Sequence, residues 1–273
     1  ITLPMTSTLA TLRADLIAVP NGFDPTPNAV QRFAASPNWS AAWWKTAVTS
    51  PDQLRQRVAL ALGELLVAGD AGCAGNFYYE MKATYHDLLA RHAFGNFRQL
   101  IDDVSTNPSM GLWLTYLWNQ KGDPAKGTAA GENYARELQQ LFTIGLVQLH
   151  PDGTLLLDSR GQPIPTYDQT TVAETAKVFT GWSYASYPET NTNLGTFLGQ
   201  PVGPTPPAYS IPDTNAYLQP MRHYSAFHDK SEKRVVSLHQ LPLAQARPTI
   251  VPANQTGPQD LKIVLDALFA HPN

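Results

Sequence analysis

The chain has 273 residues, 43% of them hydrophobic and only 15% charged, enough for one large domain or two small ones with a substantial core. Nineteen Lys and Arg against 22 Asp and Glu leave a formal charge of -3. With no basic run, the chain lacks the electrostatic footprint of nucleic-acid or anionic-membrane binding. No apolar run approaches the ~18 residues of a membrane-spanning helix, and the single cysteine, Cys73, excludes an internal disulfide and a Cys-based zinc site.

The chain begins Ile1-Thr2-Leu3-Pro4, which fits a mature or trimmed form whose earlier segment carried an address. The first 180 residues read as helices. Stretches at about 28–35 and 39–48 come first. Pro51-Asp52 then opens a clear one, with Asp52 in the first turn and Leu54, Val58, Ala61, Leu62, Leu65 and Leu66 repeating at helical spacing. Cys73 sits in Asp70-Ala71-Gly72-Cys73-Ala74-Gly75, a loop that most simply holds a partly buried free thiol. Helices follow at about 76–92, 96–105, 108–118 and 130–144, the last closed by Gly145, and another runs from Asp168 to Phe179 with Gly181 after it.

Between Val147 and Ile164 the pattern changes. Asp152-Gly153 and Asp158-Ser159-Arg160-Gly161 are turn signals flanked by short apolar runs, which predicts small β-hairpins. From Tyr184 to Pro258 the chain holds eleven of its 23 prolines. Between Tyr184 and Gln219 only Glu189 and Asp213 are charged while Tyr and Phe persist, so the segment reads as a long loop packed on the helical body, not as free disorder. An amphipathic helix begins at Gln259, and its early stop at His271-Pro272-Asn273 leads us to expect that the natural protein continues.

Several strings resemble one bacterial family, the domain of unknown function 1800. They include Asp52-Gln53-Leu54-Arg55-Gln56-Arg57-Val58-Ala59, His92-Ala93-Phe94-Gly95-Asn96-Phe97-Arg98, Asn107-Pro108-Ser109-Met110-Gly111 and Val178-Phe179-Thr180-Gly181-Trp182. The most specific is Glu132-Asn133-Tyr134-Ala135-Arg136-Glu137-Leu138-Gln139-Gln140-Leu141-Phe142-Thr143-Ile144-Gly145. His228-Asp229 with Lys233, and the pair Asn119 and Lys121, also resemble family elements. The resemblance implies an exported protein, periplasmic or extracellular, and a longer domain with more helix after Asn273. It implies no established activity.

Two constellations are candidates for chemistry. On the helix at 130–144, Tyr134, Leu138, Leu141 and Phe142 form an apolar stripe opposite Glu132, Arg136, Gln139 and Thr143. Glu132 and Arg136 are spaced for an i,i+4 ion pair. Glu137 lies at the edge of the stripe one turn after Asn133, where partial desolvation would suit a general acid. The plain alternative is a solvated face with a structural pair. The second constellation is His228 and Asp229, with His223 nearby, which could ligate a divalent metal with help from Glu137 or His92. Its plain alternative is a turn in which Asp229 and Lys233 make local bonds. The Asp152 to Gly161 run lacks the carboxylates of a calcium loop. Six tryptophans could stack on sugars, although helical spacing favours core roles.

The expected fold is mainly α: a multi-helix single domain over 1–273, incomplete at its C-terminus, with small β-hairpins and a long Pro-rich wrapping loop. Its parts are a helical body at 1–183, the Pro-rich loop region at 184–258 and the start of a further helix at 259–273. The expected function is an extracytoplasmic hydrolase of a polymer such as a glycan. Glu137 or Glu132 would act as acid or base, positioned by Asn133 and Arg136, with His228 and Asp229 lining the site. The alternative is a non-catalytic binding or scaffold protein of the cell envelope. The expected partners are the missing C-terminal part and a polymer, with neither nucleic acid nor a membrane span.

Overall fold

The computed structural model describes residues 3–18, 37–69, 79–198, 216–237 and 247–273. The helix expected at 28–35, the start of that at 76–92, Cys73, and residues 199–215 and 238–246 of the Pro-rich region lie outside the described residues. The fold is mainly α with small antiparallel strand pairs, as the periodicity predicts. The chain forms two compact units. Unit 1 comprises residues 1–113 and 211–221, and unit 2 comprises residues 114–210 and 222–273.

Unit 1 is helical. Its elements are α1 (Thr8–Ala18), α2 (Pro37–Thr49), α3 (Gln53–Leu65), α4 (Tyr79–His92), α5 (Phe97–Ser105) and α6 (Pro108–Trp113). All but α6 in this set are long enough to carry a clear face, and α4 is the hub that the others pack round. It is buried on every side, including Glu80, Lys82, His86 and Asp87. Such groups stay inside only when hydrogen-bonded, and each is. Glu80 pairs with Arg13 at 2.6 Å and accepts from the Tyr217 hydroxyl at 2.9 Å. Lys82 donates to the Ala68 carbonyl. Asp87 accepts from the Thr8 and Leu9 amides and the Ser7 hydroxyl. It thereby caps α1, a helix without an apolar stripe that the periodicity does not predict. Burial raises the Asp87 carboxyl, against those hydrogen bonds. Burial also lowers His86 to about 4, keeping its imidazole neutral between Thr8 and the edges of Trp39 and Trp43. Asp52 turns from the helix it precedes to accept from the Thr6 amide. Its carboxyl ends below its ordinary value: burial pushes it up, but bonds from Thr6, Gln56 and Ser50 outweigh that.

Unit 2 contains α7 (Asn133–Gln140), α8 (Gln169–Ala176), the short α9 (Leu194–Phe197) and α10 (Gly257–Ala270). Its strands are β1 (Trp182–Ser183) paired with β2 (Arg222–His223), and β3 (Lys233–Ser237) paired with β4 (Pro248–Val251). Three of the four strands fall in the Pro-rich segment. The turns at Gly153 and Gly161 both have positive φ and close the two predicted hairpins. One core layer stacks Tyr116 on Tyr134 at 4.2 Å, with Phe179 edge-on to both.

Two expected helices are shorter than their periodicity. The one predicted over 108–118 ends at Trp113, because Thr115 and Trp118 adopt φ of 59° and 69°, a conformation side chains with a Cβ rarely enter. The one predicted over 130–144 covers only Asn133–Gln140. The Phe142 amide reaches back to Glu137 and that of Gly145 to Gln139, so the turn widens. Leu141 consequently leaves the apolar stripe and is exposed, whereas Gln139 is buried against the polar-face expectation.

Among the described residues no helix is long and apolar enough to cross a membrane.

Candidate functional site

Unit 2 brings the predicted residues into three places. The first is α7. The Glu132 carboxylate meets Arg136 at 2.9 Å and accepts from Gln169 at 2.7 Å, and Arg136 also donates to Gln169 at 3.0 Å. These three side chains close a ring on the surface of α7 and α8. Half-exposed, such a pair contributes a few tenths of a kcal/mol. Glu137, at the edge of the stripe, has one carboxylate oxygen buried without a protein partner. Tyr167 stands beside it, its hydroxyl raised mainly by burial, with Arg136 opposing and Glu137 adding. Asn133 points elsewhere and donates to the Thr115 hydroxyl oxygen at 2.8 Å.

That last bond leads to the second place, a partly open cavity of about 780 Å³ built from the loop after α6. Thr115 and Trp118, both with positive φ, line it. Residues held in such conformations cluster where a fold positions a ligand. The Trp118 amide donates to the Trp182 carbonyl, the Gly181 amide to the Asn119 carbonyl and the Lys121 amide to the Phe227 carbonyl, so β1 and the 224–227 turn hold the wall. Asn119 bonds both backbone groups of Gly131, which closes the loop between them. The Trp118 indole N–H is buried without an acceptor among the described residues. Glu132, Glu137, His228 and Asp229 do not line the cavity.

The third place is fully buried. His228 contacts the Thr180 carbonyl through Nδ1 at 2.9 Å and Asp260 through Nε2 at 3.1 Å. Lys233, only 1% exposed, pairs with Asp260 at 2.7 Å and donates to the carbonyls of Asp229 and Ser231. Asp229 turns away: its carboxylate accepts from the Ser231 amide and hydroxyl. Burial raises that carboxyl, but the Ser231 bonds and Lys233 leave it below its ordinary value. His228 and Asp229 therefore face different partners. Among the described residues no three His, Cys, Asp or Glu side chains come together as a metal ligand set. The partner of His228 that the sequence pattern misses is Asp260, 32 residues on and in the first turn of α10.

His223 flanks this cluster, its ring 4.6 Å from that of His228, and its Nε2 accepts from the Gly257 amide at the start of α10. Burial, with His228 beside it, lowers His223 to about 3. The unfolded chain takes up this proton near pH 6.5 and the folded chain only near 3. The His223 contribution is therefore whole above pH 6.5 and is lost progressively between 6.5 and 3, at up to about 1.4 kcal/mol per pH unit. We expect a lower urea midpoint for unit 2 at pH 5 than at pH 7.5, and an imidazole that does not titrate above pH 4 by NMR. A His223 ring titrating near 6.5 would contradict this.

Fold and cavity together define a mainly helical protein with a polar, aromatic-walled pocket made by loops. Within that class, the chain belongs to the family described as protein of unknown function DUF1800, whose model matches residues 6–273. The match runs to the last residue, so it lends no support to the expected missing C-terminal part. No curated protein and no solved structure matches significantly.

Proposed function

We propose that this chain is a non-catalytic binding protein that holds one unit of a hydroxyl-rich polymer, such as a glycan, in the Trp118 cavity. The observation that carries the reading is the cavity itself. It combines the aromatic side chains of Trp118 and Phe227 with polar neighbours on a wall whose backbone is held at positive φ. Sugars present apolar C–H faces and hydroxyl edges, which such a mixed wall complements. A place in the bacterial cell envelope is supported by the resemblance to exported proteins alone. The arrangement of the carboxylates favours binding over hydrolysis, because Glu132 is engaged with Arg136 and Gln169 outside the cavity.

A second reading, polymer hydrolysis with Glu137 as the acid, is favoured by its buried, unpartnered carboxylate oxygen. Incubating the protein with insoluble polysaccharides separates the two. The binding reading expects co-sedimentation without release of new reducing ends. Release of reducing ends that Glu137→Gln abolishes while the fold is kept would establish the second reading, and failure to co-sediment with any polysaccharide would sink the first.

A further inference from the structure

We infer that the sugar unit taken by the Trp118 cavity carries a carboxylate, and that Lys121 is the residue that recognises it; this rests on the binding reading above. The inference follows from which polar groups of the cavity are already used. Asp123 is the carboxylate on the wall, and it is spent: it pairs with Lys126 at 2.9 Å and accepts from the Ala125 amide. The Lys126 bond, against desolvation, holds its carboxyl below the ordinary range. Lys121, exposed on the same wall, has no carboxylate partner among the described residues. The two lysines and the aspartate leave the wall with one unbalanced positive charge.

Hydrogen-bonding capacity points the same way. The Thr115 hydroxyl already accepts from Asn133 and that of Thr128 already accepts from the Asp123 amide, so each has its proton left to give. Asn119 has both ends of its amide engaged by Gly131. What the wall still offers includes these two hydroxyl protons and an ammonium group that no carboxylate of the wall balances. A ligand that satisfies it must bring acceptors and negative charge. Neutral sugars bring donors along with their acceptors and no charge, whereas a carboxylate is acceptor-only when ionised. A charge-assisted bond to an ammonium is also stronger than a neutral one. The surrounding backbone fixes this chemistry in place. The Lys121 amide is tied to Phe227, and at Gly122 a Cβ would meet the Thr128 carbonyl oxygen at 2.9 Å, so the segment bearing Lys121 closes tightly on the 123–128 loop.

A carboxylate-bearing sugar has two common chemical sources, a hexuronic acid and a lactyl-ether amino sugar of the muramic type. The test measures binding of the full chain to three short oligosaccharides: a neutral glucan, an oligogalacturonate, and a muramic-acid-containing glycan, each with wild type, Lys121→Gln and Lys121→Arg. We expect at least one acidic oligomer to bind about tenfold or more tightly than the neutral one. That preference should be lost in Lys121→Gln, kept in Lys121→Arg, and weakened by salt because the site is open to solvent. Which acidic oligomer binds identifies the source. Equal binding of neutral and acidic oligomers, or an acid preference untouched by Lys121→Gln, would overturn the inference while leaving glycan binding standing. Binding of none of the three would overturn both.

Discussion

Asp260→Ala is expected to cost about 3–5 kcal/mol of stability, the penalty typical of breaking a buried ion pair from one side. Lys233 is 1% exposed and Asp260 is fully buried. Without Asp260, the ammonium keeps only the carbonyls of Asp229 and Ser231, and His228 loses its Nε2 partner. The effect should reach β3, α10 and the Thr180 turn together, because the cluster joins all three. Replacing both charges, with Asp260→Leu and Lys233→Met, should recover most of the loss. The desolvation cost of the pair disappears with its attraction, and one oxygen of Asp260 is already buried without a partner. Urea unfolding of the three proteins measures this. An Asp260→Ala midpoint indistinguishable from wild type would show that the cluster is not buried as described.

The second large effect is steric. Gly257 opens α10, and a Cβ placed there would lie 2.2 Å from the His223 ring. Helix propensity by itself would make alanine the better residue. His223 cannot retreat, because Trp182 stands edge-on at 5.4 Å and His228 at 4.6 Å. Gly257→Ala should therefore destabilise by about 2–3 kcal/mol, the scale of overpacking in a closed interior. In a His223→Ala background the same substitution should cost little, and the difference between the two backgrounds measures the clash directly. If Gly257→Ala costs the same in both, the ring is not what excludes a side chain.

What the sequence makes legible depends on how local the determining contacts are. The start of α10 is written in neighbouring residues, a capping box between Thr256 and Gln259 with Pro258 in the first turn. The hairpin turns are written in Asp152-Gly153 and Gly161. Helix α1 carries one local mark, Ser7, whose hydroxyl accepts from the Ala10 amide, but its other cap, Asp87, lies 79 residues from Thr8, and no periodicity announces the helix. Strands β1 to β4 are two to five residues long and find partners across the Pro-rich segment, so neither length nor alternation identifies them. On α7 the i,i+4 pairing of Glu132 with Arg136 is read correctly from spacing, while the widened last turn that exposes Leu141 is not.

The candidate site divides in the same way. Residue types alone single out Glu137, His228 and Asp229, yet the structure spreads them over separate surroundings. The cavity depends on Thr115 and Trp118 at positive φ, which nothing in a Thr-Tyr-Leu-Trp string signals. The signal that could have found it is the run Asn119-Gln120-Lys121-Gly122-Asp123-Pro124. It is a turn-forming, polar stretch directly after an aromatic residue, placed between two helical segments.

Trp118 itself reports whether this chain holds a sugar in the cavity. Its indole N–H resonance, assigned by its loss in Trp118→Phe, would be followed as a neutral oligoglucan, an oligogalacturonate and a muramic-acid-containing glycan are added in turn to the full chain. Binding in the cavity predicts that this signal shifts with at least one of them, in step with the binding isotherm, and that Trp118→Ala weakens the same binding by about tenfold or more. A sugar that binds while the Trp118 signal stays fixed and Trp118→Ala binds as wild type would place the site elsewhere and contradict the account.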